Sequence, residues 1–218
     1  MFLTAAALLG AGTGLWSAGL PMPGDDQGYA PEQPIAFSHR LHAGELEMDC
    51  LYCHYGARWS RHAGVPPAEL CMNCHQSVTA SLDAVAEERA RAEEEGREPQ
   101  TVVSPDLARL YGYLGLDENR KPVPGAEPQP VPWVRVHDLP DFVWFDHRPH
   151  VRRGIQCQQC HGPVEGMERM QQWSDLSMGW CLDCHRSNPA VPGHSLEGLD
   201  PRERSLASVP TDCSTCHL

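Results

Sequence analysis

Hydrophobic side chains are spread unevenly along the 218 residues. The stretch from Phe2 to Leu20 is an almost continuous run of Leu, Ala, Gly, Phe and Trp, and residues 1–24 carry no charged side chain. This run is about long enough to cross a bilayer as a helix, and it lacks the basic residues that precede the apolar part of a secretory signal. We therefore predict a single uncleaved transmembrane anchor at residues 1–22, followed by a Pro- and Gly-rich linker at residues 23–34.

Polar and apolar positions predict two helices between the sequence motifs described below. Residues 80–95 mix Ala with Glu and Arg, with opposite charges four residues apart, and end at Gly96; this is the pattern of a solvent-exposed helix. Ser104 and Pro105 are the residue types preferred at the cap and first position of a helix. We predict that this second helix continues to Leu114.

The cysteines follow a strict pattern, since all ten occur in five Cys-x-x-Cys pairs and a histidine directly follows each pair. Cys-x-x-Cys-His is the attachment signature of a c-type haem, in which both thiols bond to the porphyrin and the histidine ligates the iron. Zinc also binds paired Cys-x-x-Cys units, but it does not require a histidine after each pair. Disulfides within the pairs would close only very small loops and stabilise little.

We predict five haems c. The attachment residues are Cys50, Cys53, Cys71, Cys74, Cys157, Cys160, Cys181, Cys184, Cys213 and Cys216. The iron ligands within the motifs are His54, His75, His161, His185 and His217.

Composition supports a fold built around these groups. Only 41% of the chain is hydrophobic, and it contains 20 prolines and 19 glycines, which is poor material for a large side-chain core. Five porphyrins would add apolar surface for the chain to cover. We predict a mostly α and irregular, haem-centred fold with few strands, in which residues 35–78 form a two-haem unit, 79–132 an acidic helix and Pro-rich connector, and 133–218 a three-haem unit.

The histidines outside the motifs are candidates for the second ligand of each iron. A Phe-x-His-Arg-x-His frame occurs twice, each time upstream of a haem motif, and supplies the predicted ligands His39, His42, His147 and His150. Arg40 and Arg148 of these frames are placed to pair with haem propionates or to be solvated.

The two copies differ between their haem motifs. The first copy has His62 there, and the second has Met167, Met170 and Met178. We predict that His62 completes the second iron and Met170 the fourth, with Met178 as the competing thioether. Methionines of this kind also act as apolar filler.

Two histidines fall outside the repeated pattern. His137 ligates the fifth iron or donates to a propionate, and both interpretations stay open. His194 lies in a Pro- and Gly-containing loop, where exposure is the simpler interpretation.

These motifs carry a family resemblance. Phe-Ser-His-Arg-Leu-His, Cys-Leu-Tyr-Cys-His-Tyr-Gly-Ala-Arg, Val-His-Asp-Leu-Pro-Asp and Met-Gly-Trp-Cys-Leu-Asp-Cys-His together resemble the membrane-anchored pentahaem cytochrome c subunit of bacterial alternative complex III. More widely, the chain is similar to class III multihaem cytochromes c. The resemblance implies a non-catalytic electron relay from an integral quinol-oxidising subunit, with an iron-sulfur subunit nearby, to a monohaem cytochrome c or another acceptor. It also implies a single-pass protein of the cytoplasmic membrane with its haems on the periplasmic side.

The net charge of −12 argues against nucleic acid as a partner, because such proteins carry a basic footprint. Two alternatives to alternative complex III remain: the cytochrome subunit of another quinol-linked respiratory complex, and a multihaem reductase enzyme. A reductase needs an iron with an open position, and the surplus of candidate ligands favours electron transfer.

Overall fold

The computed structural model describes residues 26–190, 193 and 195–217. The predicted anchor at 1–22 and His194 lie outside these residues. Within the described ranges, short helices alternate with irregular segments, and β-structure is limited to isolated bridges such as Val143 with His217. The prediction of a mostly α and irregular chain with few strands is therefore confirmed for this part. None of its helices combines the length and apolar character needed to cross a bilayer.

The helices are short and each is bounded by a motif or a cap. The described α-helices are Cys50–Cys53, Gly56–Trp59, Ala68–His75, Leu82–Glu94, Pro105–Tyr113, His147–Arg152, Gln158–His161, Met178–Ser187, Pro201–Ala207 and Cys213–Cys216. Arg40–Glu45 forms a π-helical turn and Val164–Gly166 a 3-10 turn.

Contacts divide the chain into two compact units. The larger unit consists of Ala30–Val136 and Asp146–Gln171, and it contains the first three Cys-x-x-Cys-His motifs. The smaller unit contains the described parts of Met1–Tyr29, His137–Phe145 and Gln172–Leu218, with the fourth and fifth motifs. This division groups the third motif with the first two, whereas the segments 35–78 and 133–218 remain a prediction from the sequence repeat.

The side-chain core of the larger unit is small and lies beside the second motif. Ile35, Leu110 and Tyr111 are buried and pack with Cys71 and Met72 at its edge. Leu110 and Tyr111 belong to the helix Pro105–Tyr113, which was predicted from its Ser cap and initial Pro and is confirmed. This helix therefore supports the helix that carries the second motif.

The predicted acidic helix is also confirmed and spans Leu82–Glu94. Its surface is not uniformly solvated, because Glu88 is buried and accepts hydrogen bonds from the Arg97 guanidinium at 2.5 Å and the Gln100 amide at 2.9 Å. The hydrogen bond from Arg97 is the main cause that lowers the pKa of Glu88 to about 2. Glu88 thus fixes the turn that follows the helix.

Candidate haem-binding site

Each Cys-x-x-Cys-His motif forms a helical turn. In the first motif the His54 amide donates to the Cys50 carbonyl at 2.8 Å, and in the fifth the His217 amide donates to the Cys213 carbonyl at the same distance. Residues three or four apart on a helix lie on one face, so this turn places both thiols and the imidazole on the same side. That is the donor arrangement required for attachment of a c-type haem.

The motif cysteines are half-buried or exposed. Burial raises the pKa of Cys53 above its usual value, and it does the same for Cys71 and Cys181. No disulfide competes with attachment at any of the ten positions, all of which the structure describes. Within the described residues, no cluster of three or more His, Cys, Asp or Glu side chains is arranged to hold a bare metal ion.

In the larger unit, each motif histidine faces a histidine from one of the two frames. The ring centres of His39 and His54 are 6.4 Å apart, with the rings 11° from parallel. The larger unit contains two further pairs: His42 with His75 at 6.1 Å and 61°, and His147 with His161 at 6.4 Å and 5°.

These distances fit one iron between two imidazoles. A metal–imidazole bond is about 2 Å long and the ring centre lies roughly 1 Å beyond the nitrogen, so two rings on opposite sides of one metal have centres about 6 Å apart. Direct packing of two rings would not require this gap. The residues therefore fit a haem iron at each of the three positions.

Hydrogen bonds orient most of these imidazoles. Where Nδ1 donates to a carbonyl, the tautomer is fixed and Nε2 is left with a lone pair for a metal. Seven histidines of the described chain place Nδ1 2.6–3.2 Å from a main-chain carbonyl oxygen. The pairs are His42 with Ser38, His54 with Gly64, His75 with Val78, His147 with Arg61, His150 with Asp146, His185 with Pro210 and His217 with Phe142.

His39 is held differently. Its Nδ1 is buried and has no hydrogen-bond partner among the described residues. Burial, followed by the neighbouring His54 and His42, lowers the pKa of His39 to about 4. The ring is neutral near pH 7 and retains a lone pair for a metal.

Phe37 joins the first two positions. Its ring stacks on His42 with centres 4.3 Å apart and meets His39 edge-on at 5.0 Å. The phenylalanine that recurs in both frames was the available sequence signal for this role, but it was interpreted only as part of the repeat. The carbonyl acceptors had no such signal, because a main-chain oxygen is present at every residue.

Similarity to known proteins provides evidence that is independent of this geometry. Residues 143–218 match the family model of cytochrome c7 and related cytochrome c. The chain is also 28% identical over 189 residues to a protein of Nitratidesulfovibrio vulgaris strain Hildenborough, named the multihaem cytochrome c subunit of menaquinone reductase. The alignment covers 85% of this chain and 68% of that relative.

The comparisons support a multihaem cytochrome c. Covalently bound c-type haem is the cofactor that this class implies, in agreement with the five motifs. Neither similarity distinguishes alternative complex III from other complexes.

The remaining predicted ligands are dispersed. His62 is exposed, and the residue placed opposite His75 is His42. Met170 is half-buried in the larger unit, whereas the fourth motif belongs to the smaller one. Ligation by His62 or Met170 stays a prediction.

His150 of the second frame lies in the larger unit, with Nδ1 2.8 Å from the Asp146 carbonyl oxygen, and Met178 and His137 lie in the smaller unit. Met178 begins the helix that carries the fourth motif and is 66% exposed. His137 is half-buried in the unit that holds the fifth motif. Their predicted roles also remain predictions.

The frame arginines pair with protein carboxylates. Arg148 bonds to both oxygens of Asp146, at 2.5 Å to Oδ2 and 3.0 Å to Oδ1, and this hydrogen bond is the main cause that lowers the pKa of Asp146 to about 2. Arg40 bonds to Glu168 at 2.5 Å and to Glu45. The prediction offered propionates or water as their partners and missed these carboxylates.

Proposed function

We propose that this chain is the electron-transfer subunit of a membrane-bound, quinone-linked oxidoreductase and carries five covalently attached c-type haems. The observation that supports this best is the set of three imidazole pairs with ring centres 6.1–6.4 Å apart. In this proposal His39 and His54 hold the first iron, His42 and His75 the second, and His147 and His161 the third.

Two imidazoles on one iron favour electron transfer over catalysis. A bound c-type haem supplies one-electron redox chemistry. The paired histidines would hold such a group, and where Nδ1 donates to a carbonyl, that bond keeps the ring from turning. A reductase requires an open coordination position at which the iron binds substrate. At these three sites the chain provides a second imidazole for that position.

The relative and the sequence resemblance favour two kinds of complex. Alternative complex III oxidises quinol and passes electrons outward through an iron-sulfur subunit to a periplasmic cytochrome. The relative's name, menaquinone reductase, favours the opposite direction, towards menaquinone. In both cases the partners are quinone-binding membrane subunits, and we propose a periplasmic position with residues 1–22 as the anchor.

One experiment separates these alternatives. The complex is purified in detergent through a tag on this chain, and its haem absorbance is followed after addition of a menaquinol analogue or, on the pre-reduced complex, of the corresponding quinone. Rapid haem reduction by the quinol supports the outward direction, and rapid haem oxidation by the quinone supports the inward one. Purification of this chain alone, with neither reaction, would overturn the assignment to a quinone-linked complex.

A further inference from the structure

The two copies of the repeat are interlocked in the larger unit. The helix Gly56–Trp59, which follows the first motif, packs against His147–Arg152 of the second frame. The turn Val164–Gly166, which follows the third motif, packs against Arg40–Glu45 of the first frame. Each copy thus uses the segment after its haem motif to hold the ligand frame of the other.

Hydrogen bonds repeat this exchange. The Arg61 carbonyl accepts from both the amide and Nδ1 of His147, at 3.2 and 2.7 Å. In the other direction, the Met167 carbonyl accepts from the Arg40 amide at 2.9 Å. Such reciprocal contact between equivalent surfaces is the mark of an approximate two-fold axis.

Equivalent residues meet where a two-fold axis passes. Cys157 is the counterpart of Cys50, since each is the first cysteine of its copy. Cys50 and Cys157 line one cleft of about 420 Å³ together with Trp59 and Arg152. The first and third attachment sites are therefore neighbours, although 103 residues separate Cys53 from Cys157 in sequence.

The first site also neighbours the second. Phe37 contacts His39 of the first imidazole pair and His42 of the second, at 5.0 and 4.3 Å between ring centres. The Asn73 side chain of the second motif donates to the Tyr52 hydroxyl of the first motif at 3.0 Å. The first site thus has close contacts on both sides.

We propose that the first haem site is the centre of a three-site path whose spatial order is second, first, third. This inference rests on the proposed function, because it requires haem at these motifs. Each transfer along the path oxidises one site and reduces its neighbour by one electron, so an electron passing between the second and third sites passes the first. Chain order would instead place the second site in the middle.

The test uses paramagnetic coupling between neighbouring irons in the full-length holoprotein. His39→Met and His42→Met each replace one imidazole by a thioether, which raises the potential of that haem and allows it to be reduced to a diamagnetic state while the other two sites of the path stay oxidised. With His39→Met, the electron paramagnetic resonance signals of both the second and third sites should sharpen. With His42→Met, only the first-site signal should sharpen.

The reverse result would overturn the proposal. If reduction at the His42→Met site sharpens the signals of both the first and third sites, the second site is central. Leu41→Met is the matched control, because it adds a thioether to the same segment, at a 41% exposed position, while both imidazoles remain. It should leave all signals and their order of reduction unchanged.

A second measurement needs no variant. In the fully reduced wild-type protein, nuclear Overhauser contacts are expected between the thioether protons at Cys50 and those at Cys157. Their absence, with the thioether resonances assigned, would contradict the arrangement. The haem count by intact mass tests the proposed function separately: fewer than five haems per chain refutes that function, whereas a full count with chain-order coupling refutes only the path.

Discussion

The two ligand frames build the same iron position from different backbones. In the first frame His39 precedes a π-helical turn, Arg40–Glu45, and in the second His147 begins an ordinary α-helix. Both nevertheless place a ring 6.4 Å from the facing motif histidine, within 11° and 5° of parallel. The helix type differs between the frames, but the distance between the paired rings does not. We therefore attribute the position of each frame histidine to the segment of the opposite copy that packs on its frame.

The residues that precede His39 and His147 show a second difference between the frames. Ser38 and Asp146 are counterparts, and their carbonyls accept from Nδ1 of His42 and His150 at 2.9 and 2.8 Å. Asp146 additionally binds Arg148 of its own frame, whereas Arg40 reaches Glu168 beyond the third motif. The Arg148 ion pair therefore stays within its own frame, whereas Arg40 pairs both with its own copy and with the opposite one.

The largest expected effect tests which histidine completes the second site. His42→Ala should leave one iron with a single strong ligand, so that about one haem per chain becomes high-spin and binds carbon monoxide when reduced. His62→Ala should bind none, because His62 is exposed and His42 is the ring that faces His75. Carbon monoxide titration of the reduced protein measures both.

The opposite outcome would support the sequence prediction that His62 completes the second iron. Carbon monoxide binding by His62→Ala and not by His42→Ala would show that the residue between the motifs is the ligand. The absence of a histidine between the second copy's motifs would then be a difference in ligand set.

Close packing between the copies predicts the next effect. Gly44 has Arg152 as its counterpart, and a Cβ on Gly44 would lie 2.3 Å from the Glu165 carbonyl oxygen. A main-chain atom cannot move aside as easily as the end of a flexible side chain. Gly44→Ala should therefore lower the free energy of unfolding of the holoprotein by about 1–3 kcal/mol. Denaturant unfolding followed by haem absorbance and circular dichroism measures the loss.

Gly166→Ala is the matched control on the facing turn, because a Cβ there meets nothing within 4 Å. It should change the free energy of unfolding by less than about 0.5 kcal/mol. Equal losses for the two variants would mean that the reciprocal packing does not depend on the close approach at Gly44.

The contribution of the ion pair within the second frame should be pH-dependent. Asp146→Ser introduces the serine that the first frame has at the equivalent position, Ser38, and removes the ion pair with Arg148. The free energy of unfolding near pH 7 should fall by only about 1 kcal/mol, because Arg148 is partly exposed. The folded pKa of Asp146 is lowered to about 2, below its unfolded value of about 3.9. Its contribution is therefore complete above pH 5 and is lost as the pH falls from about 4 through 2.

The measurement compares free energies of unfolding of wild type and Asp146→Ser across this range. The difference between them should shrink as the pH falls. Ser104→Ala is the comparison, because the Ser104 hydroxyl accepts from the Leu107 amide rather than pairing with a carboxylate, and its effect should not vary over the same interval. A difference for Asp146→Ser that stays constant down to pH 2 would show that the ion pair contributes nothing.

The sequence predicted the local features well, because local signals decide them. Ser104 and Pro105 predicted a helix start, and the structure has it there. The frames predicted His39, His42 and His147 as ligand candidates, and the structure places each opposite a motif histidine.

Contacts between distant segments could not be predicted in the same way. The pairing of Arg40 with Glu168 joins residues 128 positions apart, and no local pattern encodes it. The division of the motifs between the two units likewise depends on tertiary packing. Comparison of the copies predicted His62 for the second iron, which stays a prediction, and the placement of His42 opposite His75 had no local signal of its own.

The smallest expected effect concerns the hydrogen bond by which the helix Pro105–Tyr113 stabilises the second motif. The Tyr111 hydroxyl donates to the His75 carbonyl at 2.6 Å, and Tyr111 is fully buried. Tyr111→Phe keeps the packing and removes the donor, so it should cost about 1 kcal/mol. Tyr113→Phe, at a half-buried position on the same helix, is the control and should cost less. If the second site depends on this bond, its reduction potential should shift in Tyr111→Phe while those of the first and third sites stay constant; equal shifts at all three would show that the helix supports the unit as a whole.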